Sequence, residues 1–160
     1  MNINQEGLDF IEAMEGGLKT SAYLDSANIP TIGIGCIFMS PTIRVKMGDT
    51  ITLEQGQQMF QKEIVNVVSC ANNSIKSILE QNKFNAIISF IYNVGCYNFQ
   101  TSTLLKKINV NPNDPTIFQE FQKWDKEMVN GQMEVSQGLL NRRNKEIALW
   151  FNNKVPNLIS

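Results

Sequence analysis

Apolar residues recur at helical spacing over most of this chain. Between Asn4 and Met14, the residues Leu8, Ile11 and Met14 fall on one face with Phe10 beside them, which predicts a short amphipathic helix. Gly16-Gly17 follows, as at a helix C-terminus. The period then changes from 3.6 to 2. Ala22 and Leu24 point one way and Tyr23 and Asp25 the other, and Ser26-Ala27-Asn28 reads as a turn. Beyond Pro30, the residues Thr31, Gly33 and Gly35 are expected on one strand face, with Ile32 and Ile34 on the other. A β-hairpin should therefore follow the first helix. Phe38 to Thr50, broken by Pro41 and Gly48, is expected to be irregular.

The rest of the chain reads as helices. Thr52-Leu53-Glu54-Gln55 has the form of a capping box, with Thr52 as N-cap and Gln55 reaching back. The helix it opens carries Met59, Phe60, Ile64, Val67 and Val68 and is expected to bridge two lobes. Asn72 to Glu80 is expected to form a short helix burying Ile75, Ile78 and Leu79. From Asn82 or Lys83 to Val94 the pattern is apolar nearly all round, which predicts a central helix buried on all sides. Gly95 to Asn98 reads as a turn, and Thr101 or Ser102 should cap a helix running through Leu104, Leu105 and Ile108. Pro115 suits the start of another, in which Phe118, Phe121 and Trp124 read as core. Asn130-Gly131 signals a second hairpin between Met128 and Val135. Leu139 to Phe151 is the last helix, packing through Leu140, Ile147, Leu149, Trp150 and Phe151. Arg142 and Arg143 lie near its start, where the helix dipole disfavours cations, so a partner elsewhere is expected for them. A loosely docked tail follows from Asn152.

Composition narrows the function classes. With 160 residues, 42% hydrophobic and 18% charged, the chain fits one domain or two small lobes sharing a helix. A net charge of −1 leaves no basic field for nucleic acid. The absence of histidine excludes a His-ligated zinc site and any Ser-His or Cys-His catalytic pair. Neither metal nor cofactor is expected. Three cysteines, an odd number without metal-like spacing, suggest free thiols made in a reducing cytosol. No stretch approaches the ~20 apolar residues of a membrane span, and the N-terminus lacks the basic start and apolar run of a signal peptide.

The chemistry concentrates between Glu15 and Cys36. Glu15 stands at the end of the first helix and Asp25 on the hairpin, with the Thr31 hydroxyl and the glycines beside it. Paired carboxylates suit glycoside hydrolysis, in which one protonated acid serves the leaving oxygen and one ionised carboxylate activates water or attacks carbon. The plainer alternative is a glycine-capped helix and a hairpin with a surface aspartate.

Three motifs extend this reading. Glu15-Gly16, Ala22-Tyr23-Leu24-Asp25 and Pro30 to Gly35 form the first; Ser89 to Gly95, continuing to Asn98-Phe99 and Ser102 to Leu105, the second; and Gly138 to Arg143, with Glu146 and Leu149, the third. In this order they resemble the phage-type lysozymes, the endolysin muramidases, over nearly the whole chain. The resemblance implies an α+β, mainly α, two-lobe fold. A small lobe with a β-hairpin (about 12–60) joins, through a long helix, a helical lobe (about 70–155) that includes the N-terminal helix. Residues 1–160 would form one lysozyme-like domain with a cleft between the lobes.

The activity implied is hydrolysis, with inversion, of the β-1,4 bond between N-acetylmuramic acid and N-acetylglucosamine in peptidoglycan, without a cofactor. Glu15 would be the general acid, Asp25 and Thr31 would hold the attacking water, and Arg142 would pair with Glu15. Gly35, Ile37, Tyr92, Asn93 and Thr103 would contact the glycan strand. The enzyme would be a monomer made in the cytoplasm, reaching the periplasmic wall through a holin or another export partner, without stable membrane insertion.

The chain departs from the family pattern twice. Glu15 and Asp25 are ten positions apart where nine is usual, with the extra residue expected within Gly17 to Ser21. Cys36 stands where the family has histidine, and is expected to act as a small buried hydrophobe. The competing readings are a lytic transglycosylase, which would need Glu15 but neither Asp25 nor Thr31, and a catalytically inactive sugar-binding relative.

Overall fold

A computed structural model describes residues 1–25, 28–129 and 131–153. Helix α1 spans Gln5–Met14 and starts where the Asn4 side chain accepts the Gly7 amide. It ends as its glycines predict. Gly17 N–H donates to Glu12 O and Gly16 N–H to Ala13 O, with Gly16 at φ 75, the left-handed residue of a Schellman motif. Strands β1 (Lys19–Leu24) and β2 (Pro30–Gly33) form the expected antiparallel hairpin; Ser26 and Ala27 of its turn lie outside the described residues.

The pairing is irregular between Lys19 and Tyr23. Lys19 faces Gly33 and Tyr23 faces Thr31, so β1 takes four steps where β2 takes two. Both step counts are even, so the side chains keep their faces. Gly35 is not on the strand as expected. β2 ends at Gly33, and Ile34-Gly35 forms a turn closed by the pairing of Ile32 with Cys36. A strand cannot carry two left-handed residues, and Gly33 and Gly35 have φ of 67 and 72.

The segment expected to be irregular holds a second small hairpin, β3 (Phe38–Ser40) with β4 (Ile43–Arg44), in which Pro41-Thr42 makes the turn rather than a break. A bridge between Ser21 and Thr50 and the burial of Ile32, Val45 and Ile51 tie these pieces into one small core. Helix α2 (Leu53–Ser74) opens with the anticipated capping box: Gln55 N–H donates to Thr52 Oγ1 at 3.1 Å and Thr52 N–H to Gln55 Oε1 at 2.8 Å.

Two compact units emerge, Leu8–Asn66 and Met1–Gly7 with Val67–Ser160, and α2 belongs partly to each. In the second unit α2 runs on to Ser74, and the helix expected over Asn72 to Glu80 is absent. Leu79 is buried, but Ile78 is 94% exposed. Helix α3 (Gln81–Val94) has the predicted all-round burial from Phe84 to Ile91. The expected turn at Gly95 to Asn98 is instead the start of α4 (Cys96–Thr101), because one glycine at φ 85 suffices to redirect the chain. Ser102 then caps α5 (Thr103–Val110), and α6 (Ile117–Gln122) follows.

Strands β5 (Lys126–Val129) and β6 (Gln132–Val135) pair as a hairpin around Asn130-Gly131, of which Asn130 lies outside the described residues. Helix α7 (Gln137–Trp150) is capped by Ser136. The tail from residue 154 likewise lies outside the described residues. Phe90 anchors the core of this unit, edge-on to Phe99, Phe121 and Trp124, while the Asn82 side chain ties α3 to α7 by donating to the Leu149 and Trp150 carbonyls. The molecule is thus mainly helical with small β-hairpins, as expected. Among the described residues no helix is long and apolar enough to cross a membrane.

The cysteine expectation is corrected. Cys70 of α2 and Cys96 of α4 form a disulfide with Cα atoms 6.0 Å apart, and Cys36 stays outside it as a thiol. An odd count does not prevent two of three from pairing, and the pair meets only once α2 and α4 are folded. Cys36 is partly exposed rather than buried, with Sγ 3.8 Å from Ile34 O. The bond closes a loop with sequence separation 26, so its removal should cost about 3 kcal/mol. Chemical denaturation of Cys70→Ala/Cys96→Ala should show that loss, whereas Cys36→Ser should unfold with the wild type.

Candidate active site

Glu15 follows the last residue of α1, with its amide still bonded to Ile11 O, and the glycine exit at once turns the chain away. Its carboxylate lies against the Ile34-Gly35 turn. A Cβ placed on Gly35 would stand 2.7 Å from Glu15 Oε2 and 3.1 Å from Cδ. Gly35 therefore serves twice: its φ is open to glycine and it leaves room for the acid. Gly35 and Glu15, both singled out by the sequence, are brought together.

Asp25 and Thr31 are joined through a residue the sequence reading did not single out. Ile29 N–H donates to Asp25 Oδ1 at 2.8 Å, while Ile29 O accepts the Thr31 hydroxyl at 3.0 Å. The Asp25 amide also donates to Ile29 O. The backbone of one residue thus clamps the neck of the hairpin and fixes both side chains, and no side-chain pattern could have pointed to it. Thr31 is only 2% exposed, and because its proton is committed to Ile29, its oxygen is left with acceptor capacity.

Tyr23 lies directly opposite Thr31 in the hairpin. Burial pushes its phenol above the ordinary value, and the charges of Glu15, Asp25 and Cys36 push it further. It stays protonated, a donor, over the whole range in which carboxylates titrate. Alternation marked it as facing the same way as Asp25; only the tertiary structure places Glu15 near it. Ile37 is partly buried beside this turn, its carbonyl accepting the Val45 amide.

The remaining predicted residues belong to the second unit. Tyr92 is half-buried and Asn93 exposed near the end of α3. The Thr103 hydroxyl donates to Glu120, a buried carboxylate also held by Lys123 at 2.6 Å and Lys107 at 3.1 Å. Burial alone would raise Glu120, but the hydrogen bonds from Lys123, Thr103 and Lys107 outweigh it and hold the group at about 2.

Arg142 donates through Nε to Glu146 Oε1 at 3.2 Å and through Nη2 to Ser89 O at 3.3 Å. Glu146 also takes the Ser89 hydroxyl at 2.8 Å and lies 3.2 Å from Arg143 Nε. Glu146 thus faces both arginines from one turn further along α7. α7 starts at Gln137, which puts them past its first turn. No group of acidic or sulfur side chains suited to a metal ion occurs among the described residues.

The site thus holds a carboxylate at a helix end against a glycine turn, and a second carboxylate on a clamped hairpin. Comparison with known proteins gives the class. The phage lysozyme family matches residues 13–146, and the chain belongs to that family. It is a peptidoglycan-hydrolysing muramidase of the endolysin type, a glycoside hydrolase of cell lysis. Among its relatives is the endolysin of Acyrthosiphon pisum secondary endosymbiont phage 1, 39% identical over 94% of this chain and 98% of the relative. Among solved structures, the endolysin from Escherichia coli O157:H7 phage FAHEc1 superposes with a TM-score of 0.86, at 38% identity over 98% of each chain. The muramidase domain of SpmX from Asticaccaulis excentricus does so at 0.78, at 28% identity over 93% of this chain and 97% of that one.

The Gly35 contact yields a test. Gly35→Ala must both adopt a left-handed φ and move the Glu15 carboxyl. A displacement on the 1 Å scale costs catalysis about 10²-fold. Lysis of permeabilised cells by the folded variant should fall on that scale. A near-wild-type rate would mean that the carboxylate position against the turn is immaterial.

Proposed function

We propose that Glu15 is the general acid of this muramidase and that Asp25 and Thr31 hold the water that attacks. The observation carrying this reading is the Glu15 carboxylate seated against Gly35 at the end of α1, with Asp25 and Thr31 held on the hairpin by the Ile29 backbone. Protonated Glu15 gives its proton to the glycosidic oxygen as the bond to the anomeric carbon breaks. Asp25 takes one proton of the water as it attacks, while the Thr31 oxygen accepts a hydrogen bond from the O–H that stays on the product, aiming the water's lone pair at the opposite face of the sugar. The product then has inverted configuration, which requires the two carboxyl groups roughly 6.5–9.5 Å apart. Gly35 and Ile37 in one unit, and Tyr92, Asn93 and Thr103 in the other, are proposed to contact the glycan.

The enzyme is proposed to act as a monomer in the periplasm, reaching it through a holin or a comparable partner. The Cys70–Cys96 disulfide supports residence outside a reducing cytosol.

Glu15→Gln keeps volume and polarity but cannot act as the acid, and general acid catalysis is worth about 10²–10⁴-fold. Reducing-end release from purified peptidoglycan should fall by at least about 10²-fold while the variant still folds, since Gly16 and Gly17 supply the helix exit. Retention of more than about a tenth of wild-type turnover would remove Glu15 from the role.

A further inference from the structure

Arg143 was not singled out for function by the sequence beyond its need of a partner. It has no exposed surface, and its guanidinium stacks 4.9 Å from the Phe90 ring centroid. Nε lies 3.2 Å from Glu146 Oε2, and Nη2 donates to Asn93 Oδ1 at 2.7 Å. Burial lowers its pKa, Glu146 opposes that and Arg142 adds to it; at about 10 the group remains a cation at neutral pH.

The consequence falls on Asn93. A guanidinium has donors and no acceptor. Facing Arg143, the Asn93 amide must therefore turn its oxygen inward. Asn93 itself is exposed. A surface asparagine can ordinarily rotate to offer either end, whereas here the oxygen is committed to a buried charge and the nitrogen is the end left for a ligand. Charge-assisted bonds are about twice as strong as neutral ones, so the commitment is firm.

We propose that Asn93 is a donor contact for the N-acetyl carbonyl oxygen of the glycan, and that Arg143 is the positioning residue that fixes its polarity. This rests on the reading of Asn93 as a sugar contact. The amide carbonyl is the strongest neutral acceptor on an N-acetylated sugar. Removing the acetyl group leaves an ammonium, which only donates and so has nothing to offer the Asn93 nitrogen. The contact therefore selects N-acetylated strands.

The test is Asn93→Asp, assayed for KM and kcat on soluble uncrosslinked glycan strands, N-acetylated and de-N-acetylated. A carboxylate accepts from Arg143 at least as well, so the melting temperature should hold or rise, but it has no donor. KM on N-acetylated strands should rise about tenfold, the scale of one lost hydrogen bond with its partner left unpaired, with kcat within a few-fold. The wild-type preference for N-acetylated strands should shrink by a similar factor. Arg143→Lys should raise KM likewise and add nothing in an Asn93→Ala background; should it not fold, Asn93→Asp decides alone. Wild-type KM in Asn93→Asp together with a raised KM in Asn93→Ala overturns the donor assignment while keeping Asn93 as a contact. Wild-type KM in both shows instead that Asn93 does not touch the sugar, and the proposal falls with that reading.

Discussion

The structure around Glu15 depends on one steric constraint: a carboxylate and a backbone turn occupy neighbouring space that no Cβ could share. Glu15 reaches Gly35 because α1 ends in a Schellman motif at the right place and because the chain after β2 turns back through two left-handed glycines. The Ile32–Cys36 pairing holds that turn, and Ile32, Val45 and Ile51 hold the pairing. An apolar core thereby sets the position of a charged group. Such support matters in catalysis, since a poorly held acid loses most of the advantage of proximity.

The helical unit uses charge differently. Glu146, Arg142 and Arg143 lie together in its interior. Burial raises the Glu146 pKa, and the arginines and Ser89 pull it back. Buried ion clusters are a poor source of net stability compared with apolar packing. What this one supplies is orientation. It fixes Arg142 between Glu146 and Ser89, and through Arg143 it fixes the polarity of an exposed amide.

What could be read from the sequence was local chemistry. The Thr52–Gln55 capping box, the glycine exit of α1, the hairpin from period-two alternation and the buried α3 each depend on residues within a few positions of one another. What escaped was tertiary. Cys70 and Cys96 pair because α2 and α4 meet, and no spacing announces it. Ile78 looked like core from its helical phase, but the chain leaves the helix at Ser74 and the phase no longer applies. Pro41 looked like a breaker and proved to be a turn residue. In the candidate site, Ile29 clamps Asp25 to Thr31 through its backbone N–H and C=O and is invisible to any side-chain pattern. Arg143 left one trace, a cation placed early in a helix against the dipole.

The central claim is that one carboxylic acid and one held water act on opposite faces of the sugar. The anomeric configuration of the first product tests it most directly. Proton NMR of a soluble β-1,4-linked glycan, recorded faster than the anomers interconvert, should show the α-anomer at the new reducing end. Initial appearance of the β-anomer would contradict the account, because it would require a carboxylate acting as nucleophile in place of the water proposed to be held by Asp25 and Thr31.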